Sequence, residues 1–157
     1  MKLLLRGNSH NRVNESTVEI AAAPDTPGRE RWQWHVRLHD RLPVLDNVAV
    51  GMPVVRSDGT ELLLEVSADG AVARARTEQL EVSSRATVRR TADELLLLLV
   101  HRGAALVEER HLLAELDVMV LEGDDPLEIS VDAADGPLGL SIVRLLPALS
   151  RPLAWVP

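Results

Sequence analysis

The 157-residue sequence contains no cysteine, no phenylalanine and no tyrosine. Without cysteine, the chain cannot form a disulfide bond, a thiolate nucleophile or a zinc–thiolate site. Three tryptophans are the only large aromatic residues, so the core has to be built from aliphatic side chains. Hydrophobic residues make up 46% of the sequence, which is ordinary for a globular protein. A chain of this length buries roughly 70% of its extended surface, so it needs no covalent staple.

Positively charged residues are outnumbered by acidic ones and are scattered among them. Lys2 is the only lysine, the formal net charge is −7, and the densest basic pair is Arg89-Arg90. Affinity for nucleic acids depends on clustered cations, and single-strand binding also needs several aromatic stacking residues. Nucleic acids are therefore not expected as partners.

Long hydrophobic runs are also absent. The longest one covers residues 95–100, whereas a membrane-spanning helix needs about 20 apolar residues. Residues 1–6 place only three leucines between charged residues, and a signal peptide needs an apolar stretch of about 7–15 residues. We therefore expect a cytoplasmic protein that does not associate with a membrane.

Known catalytic motifs are missing as well. The sequence contains no G-x-S-x-G elbow, no Walker loop, no G-x-G-x-x-G loop and no H-E-x-x-H pair. No catalytic residue, cofactor or metal site is assigned on this basis. Catalytic residues can be scattered along a sequence, so an enzyme remains an open alternative.

Short apolar runs separated by turn residues are the dominant pattern, and they predict an all-β protein with few or no helices. Residues 31–39 give the clearest strand, because apolar and polar side chains alternate along it. The apolar face carries Trp32, Trp34, Val36 and Leu38, and the polar face carries Gln33, His35, Arg37 and His39. Asp58-Gly59 and Asp69-Gly70 predict tight hairpin turns with glycine in the left-handed region. Residues 42–53 are predicted to be irregular extended chain.

Residues 91–116 are ambiguous. Thr91 and Glu94 have the spacing of a helix capping box, and leucine is a good helix former. The apolar run at residues 95–100 equally fits a strand buried on both faces, and periodicity does not separate the two. Strands are favoured here, because β patterns lie on both sides of the segment.

A short internal similarity suggests how the chain is organised. Leu62, Leu64 and Val66 precede Asp69-Gly70, and a matching apolar triplet precedes Asp135-Gly136 at an offset of 65 residues. We expect residues 1–157 to form one domain. An alternative organisation has two similar β halves, at about residues 1–85 and 86–147, followed by a proline-containing tail.

The histidines are the first candidates for a functional site. On a helix, the i, i+4 spacing of His35 and His39 would allow a shared metal ion, but on a strand it spans roughly 13 Å. No metal is therefore expected there. His35, Arg37 and His39 would stand side by side, and arginine is suited to bidentate capture of a carboxylate. The alternative is a solvated strand face. His10 is expected to be solvated in a loop, and His101 and His111 are not expected to meet.

Several segments, taken in order, resemble the HutD/Ves family of small bacterial proteins. The matching stretches are residues 3–6 (its opening strand), 17–21 (T-R-E-I-A), 32–38 (D-W-R-I-S), 59–64 (G-x-x-L-x-L), 118–123 (D-A-L-L-L-E-G) and 142–145 (its closing strand). The family's W-K-N-G-G-G stretch is replaced by residues 10–15, which contain no glycine. Glu19 is the one polar position of that loop–strand motif that is retained.

The resemblance implies a duplicated, cupin-like β-barrel without the metal-binding histidines of typical cupins. It also implies a non-enzymatic role in histidine utilisation, in which a carboxylated intermediate such as formylglutamate is bound and catabolism is limited. The leading hypothesis is a non-catalytic binding protein for a small acidic metabolite, with Glu19, His35, Arg37 and His39 as candidate ligand-binding residues. The alternatives are a cupin-type enzyme, metal-free or metal-dependent, and a β-scaffold that pairs with itself as a homodimer or with a partner.

Overall fold

The structure is a computed structural model that describes residues 3–23, 34–41, 43, 49–148 and 153. The described residues form fourteen strands: β1 Leu3–Leu5, β2 Asn11–Asn14, β3 Thr17–Ala22, β4 Trp34–His39, β5 Ala49–Val55, β6 Glu61–Ala68, β7 Ala73–Val82, β8 Arg85–Arg89, β9 Leu95–Arg102, β10 Ala105–Val107, β11 His111–Leu113, β12 Val118–Leu121, β13 Glu128–Ala133 and β14 Leu138–Pro147. Helical structure in these residues is limited to a 3-10 turn at Gly7–Ser9. No helix in this part of the chain is long and apolar enough to cross a membrane.

The strands form three antiparallel sheets. The central sheet has the order β1-β12-β9-β14-β7, and the two outer sheets have the orders β2-β3-β4-β6-β5 and β11-β10-β13-β8. A first hydrophobic cluster joins the central sheet to the outer sheet that contains β3, β4 and β6. A second hydrophobic cluster joins it to the outer sheet formed by β8, β10, β11 and β13. The central sheet is therefore buried on both faces, and each outer sheet turns one face away from the core.

The leucine run in β9 shows why its sequence was ambiguous. Leu97 and Leu99 pack in the first hydrophobic cluster, while Leu96 and Leu98 pack in the second. Because side chains alternate along a strand, a strand between two apolar layers needs hydrophobic residues at every position. The favoured strand assignment is confirmed.

The capping-box spacing before β9 forms a turn and not a helix. The Thr91 amide donates to Glu94 Oε2 at 3.2 Å, and the Glu94 amide donates to the Thr91 carbonyl at 3.2 Å. Only the first of these is a bond of the capping box, because the Thr91 hydroxyl donates to Asp93 Oδ1 and does not accept from the Glu94 amide, and β9 begins at the next residue.

The two Asp-Gly turns differ. Gly59 has a φ of 85° in the β5–β6 hairpin, as predicted. Gly70 is not in the left-handed region, so that prediction was wrong. The turn before β7 is instead built by Asp69, whose carboxylate accepts from the Ala71 amide and whose carbonyl accepts from the Val72 and Ala73 amides.

Strand β4 confirms the predicted alternation over Trp34–His39, with Trp34, Val36 and Leu38 in the first hydrophobic cluster. Trp32, Gln33 and the tail positions Pro152 and Pro157 lie outside the described residues. The expected irregular chain at residues 42–53 was partly wrong, because β5 occupies its second half. Pro53 fits there because β5 is an edge strand.

Candidate functional site

One row of charged side chains crosses three neighbouring strands on the outward face of an outer sheet. In the strand register, Glu19 of β3 lies opposite Arg37 of β4, and Arg37 lies opposite Glu65 of β6. Their strand neighbours Leu38 and Leu64 point the other way, into the first hydrophobic cluster. Strand alternation and antiparallel register therefore bring the three charges together.

Arg37 is held at one edge of its guanidinium. Its Nε donates to Glu19 Oε2 at 2.8 Å, and the two side chains are 22% and 13% exposed. Within the residues that the structure describes, Arg37 Nη1 and Nη2 make no hydrogen bond to the protein. The ion pair orients the guanidinium and leaves its terminal donors available.

Glu65 joins the two histidines. Its Oε1 lies 3.2 Å from His35 Nε2 and 3.1 Å from His39 Nε2. The strand spacing keeps the histidine backbones apart, as expected, but both ring tips reach the same oxygen. His39 is fixed from its other side as well, because its Nδ1 lies 2.7 Å from Thr17 Oγ1.

The electrostatics keep Glu65 ionised. The hydrogen bond from His35 lowers the pKa of Glu65 to about 2, with a further hydrogen bond and charge from His39, although burial acts in the opposite direction. A carboxylate that accepts two such bonds is strongly favoured in its charged form. The row therefore places the fixed negative charge of Glu65 beside the Arg37–Glu19 ion pair.

This face is not the freely solvated strand face considered as an alternative. The His39 side chain is 7% exposed, that of Glu65 10%, and that of His35 15%. The four predicted residues, Glu19, His35, Arg37 and His39, lie together on one partly buried surface. Ion pairs and hydrogen bonds are stronger there than in water.

Two residues of this site, Thr17 and Glu65, were not predicted from the sequence. Thr17 stands two residues before Glu19 on β3, so it shares the face of Glu19. Glu65 stands between Leu64 and Val66, and this alternation marks it as outward-facing. The sequence does carry both signals, but it does not show that β3, β4 and β6 are neighbours.

The remaining histidines lie elsewhere. His101 is 2% exposed and its Nδ1 lies 2.8 Å from Ser141 Oγ, while burial lowers its pKa. His111 lies in β11 of an outer sheet, whereas His101 lies in β9 of the central sheet, and no described hydrogen bond joins the two. The prediction that His10 is solvated was wrong, because His10 is half-buried with Nε2 at 2.9 Å from the Leu116 carbonyl.

Comparisons of the sequence with protein families and with curated proteins give no match. Solved structures that share the fold include the following three. A conserved protein of unknown function from Pseudomonas aeruginosa is 18% identical with a TM-score of 0.62, covering 94% of this chain and 99% of its own. HutD from Pseudomonas fluorescens is 13% identical with a TM-score of 0.61, covering 95% of this chain and 100% of its own. The bacterial pirin YhhW from Escherichia coli, solved with nickel(II), is 9% identical with a TM-score of 0.51, covering 95% and 100%.

The nickel of the pirin structure raises the question of whether this chain offers a similar donor set. Among the described residues, no group of three or more His, Cys, Asp or Glu side chains is placed to hold a metal ion. His35 and His39 direct Nε2 at Glu65 Oε1, so their hydrogen bonds use the atoms that a metal would need. The described part of the chain therefore shows no group suited to hold a metal ion.

These likenesses at 9–18% identity establish architecture and no activity. They agree with the three antiparallel sheets and with the predicted fold class. The chain has an all-β, cupin-like fold that it shares with the HutD and pirin structures.

Proposed function

We propose that this protein is a non-catalytic binding protein for a small, carboxylate-bearing metabolite. The ligand binds at the face formed by Glu19, His35, Arg37, His39 and Glu65. One observation carries the proposal: Glu19 holds Arg37 through Nε, while no described residue accepts from Arg37 Nη1 or Nη2. This arrangement presents a fixed pair of donors to a ligand.

The chemistry of arginine supports a carboxylate over other ligands. The planar guanidinium offers two parallel N–H groups that match the two oxygens of a carboxylate. Arg37 is 22% exposed, so the pair would form in a partly desolvated setting, where charge-assisted hydrogen bonds are worth more than at an open surface. His35 and His39 flank Arg37 on the same face. Nδ1 of His35 can complete the contacts to the ligand, whereas both ring nitrogens of His39 are already held by Thr17 and Glu65, so His39 acts by fixing Glu65 in place.

A regulatory role in histidine utilisation is the finer part of the proposal. It is supported by the shared fold with HutD, whose structure was determined in a formate condition. Formate is the smallest carboxylate and therefore the simplest probe of the Arg37 site. Histidine, urocanate and formylglutamate test the link to histidine utilisation, since each carries a carboxylate on a different molecular framework.

Isothermal titration of the wild-type protein with these four compounds tests the proposal. We expect saturable binding of at least one carboxylate, and Arg37→Ala should weaken it by about tenfold or more, as expected for a charge-assisted hydrogen bond. Arg37→Lys should keep part of the affinity, since the charge stays but the fork is lost.

Arg89→Ala is the matched control, because Arg89 is 79% exposed and pairs with Glu128 in the other outer sheet. Equal affinities of the wild-type protein and Arg37→Ala would contradict the proposed site. Thermal melts of the wild-type protein with nickel(II), with zinc(II) and with a chelator test the enzyme alternative. A metal-dependent rise in melting temperature that chelator reverses would favour a metal-dependent cupin enzyme.

A further inference from the structure

Strand β7 is the longest open sheet edge in the described part of the molecule. It runs for ten residues at one side of the central sheet, and its other side pairs with β14 along the whole length without a register shift. No described strand pairs with its outer side, where the Ala73 amide alone is bonded, to the Asp69 carbonyl. An edge of this kind displays a regular row of backbone donors and acceptors.

The other five sheet edges in the described part of the chain are formed by short strands, or by strands with a register shift or a proline, and are less suited to pairing than β7 is. Strands β1 and β11 have three residues each, and β2 has four residues and a register shift. Strand β8 has five residues, and β5 contains Pro53, which lacks a backbone donor. Strand β7 contains no proline or glycine and no bulge.

The charges along β7 are ordered by sign. Arg74 and Arg76 occupy its first half, and Glu78 and Glu81 occupy its second half. All four residues are exposed, and Glu78 and Glu81 keep more than half of their side-chain surface open although they pair with Arg144 and Arg102 of the same chain. Such an arrangement is complementary to itself when a second copy runs in the opposite direction.

We propose that β7 pairs antiparallel with β7 of a second copy, with Thr77 opposite the partner's Thr77, so that two central sheets become one continuous ten-stranded sheet. A two-fold axis perpendicular to the sheet keeps each side chain on its own face. Arg76 then lies directly opposite the partner's Glu78, and Glu78 opposite the partner's Arg76. Opposite charges at directly facing positions stabilise an antiparallel pair.

Neighbouring registers are disfavoured by the same charges. Centring the ladder on Arg76 would place it against the partner's Arg76, and centring it on Glu78 would place it against the partner's Glu78. Like charges directly opposite each other destabilise a ladder. The register centred on Thr77 is therefore the one that the charges select.

Single-cysteine variants test both the dimer and its register, because the natural chain has no cysteine. Under mild oxidation, Thr77→Cys should form a covalent dimer, since directly opposed residues lie within disulfide range. Gln79→Cys is the control on the same face of β7, and in this register it faces the partner's Ala75. We expect rapid, near-complete cross-linking of Thr77→Cys and at least tenfold slower cross-linking of Gln79→Cys. Equal rates for the two variants would overturn the register.

A charge exchange tests the interface without a covalent bond. Sedimentation velocity should show a dimer for the wild-type protein, weakened at least tenfold in Arg76→Glu and restored in the double variant Arg76→Glu/Glu78→Arg. Unfolding midpoints close to that of the wild-type protein would show that the variants are folded. A wild-type protein that is monomeric at all concentrations, or a dimer that Arg76→Glu leaves unchanged, would overturn the proposal.

Discussion

Arg37 and Glu19 face each other across β3 and β4, and Arg37 Nε donates to Glu19 Oε2 at 2.8 Å. The carboxylate therefore has two opposing effects on an anionic ligand. It orients the guanidinium, and it also places a negative charge near the site. Glu19→Gln keeps a side-chain oxygen that can accept from Nε but removes that charge.

We therefore expect Glu19→Gln to tighten carboxylate binding a few-fold, with the largest gain at low ionic strength, where charges are least screened. Titration calorimetry at two salt concentrations checks this. Weaker binding by the variant would show that the charge of Glu19 is needed to hold Arg37 in place.

The low pKa of Glu65 predicts that the folded protein loses stability in acid. Its pKa in the folded protein is about 2, against an ordinary value of 4.5, so its ionised form stabilises the fold. This stabilisation is fully present above about pH 4.5 and is lost as the pH falls towards 2. Glu65→Gln should therefore cost on the order of 2 kcal/mol at pH 7 and progressively less in acid.

Urea unfolding between pH 7 and pH 3 measures the difference in free energy of unfolding between the wild-type protein and Glu65→Gln. If the difference in free energy of unfolding between the wild-type protein and Glu65→Gln stays constant across this pH range, the ionised form of Glu65 is not stabilised by His35 and His39.

Arg90 contributes to stability through main-chain contacts. It is 5% exposed, and its guanidinium donates to five carbonyl oxygens, those of Thr91, Glu94, Gly123, Asp125 and Pro126. Lysine has three donors at a single nitrogen and cannot reach all five. Arg90→Lys should therefore lower the free energy of unfolding by about 2–4 kcal/mol.

The adjacent Arg89 is the matched control for this experiment, because it is 79% exposed and pairs only at the surface with Glu128. Arg89→Lys should change the free energy of unfolding by about 0.5 kcal/mol or less. Similar losses for the two variants in denaturant unfolding would contradict a special role for Arg90.

Gly139 is required by the packing of the central sheet. A Cβ at this position would overlap His101 Nε2 and would come within 2.9 Å of His101 Cδ2 and 3.1 Å of Arg102 Cβ. His101 is buried and held by Ser141, so it has little room to move. Gly139→Ala should cost about 1–3 kcal/mol in thermal unfolding.

Gly70 provides the comparison for Gly139. A Cβ there would meet no atom within 4 Å, and its backbone is not in the left-handed region. Gly70→Ala should be neutral or stabilising by up to about 1 kcal/mol. Equal melting temperatures for the two alanine variants would refute the proposed clash.

The β class of the protein could be predicted because strand alternation is a local property. Trp34, Val36 and Leu38 show their shared face from spacing alone, and the structure confirms it. The run at residues 95–100 was harder, because a strand between two hydrophobic layers loses its alternation. Only the neighbouring β patterns favoured a strand there.

The site was predicted in part for the same reason. His35, Arg37 and His39 share a face because they lie on one strand, and alternation reveals that. Glu65 joins them only because β6 pairs with β4, and strand pairing depends on the whole fold. The two similar β halves stay a prediction. The first apolar triplet lies in β6 of one outer sheet, whereas only Ile129 and Val131 of the second lie in β13 of the other, because Leu127 precedes that strand and is exposed.

The most direct test of the central claim is nuclear magnetic resonance of the protein with ¹⁵N-labelled arginine side chains, titrated with formate and then with formylglutamate. Arg37→Lys removes one resonance from the spectrum and so assigns the Arg37 Nε signal. We predict a saturable shift of that resonance, while the signals of exposed arginines such as Arg89 stay in place. An Arg37 resonance that does not move while either compound binds elsewhere, or while neither binds, would contradict a carboxylate site on this face.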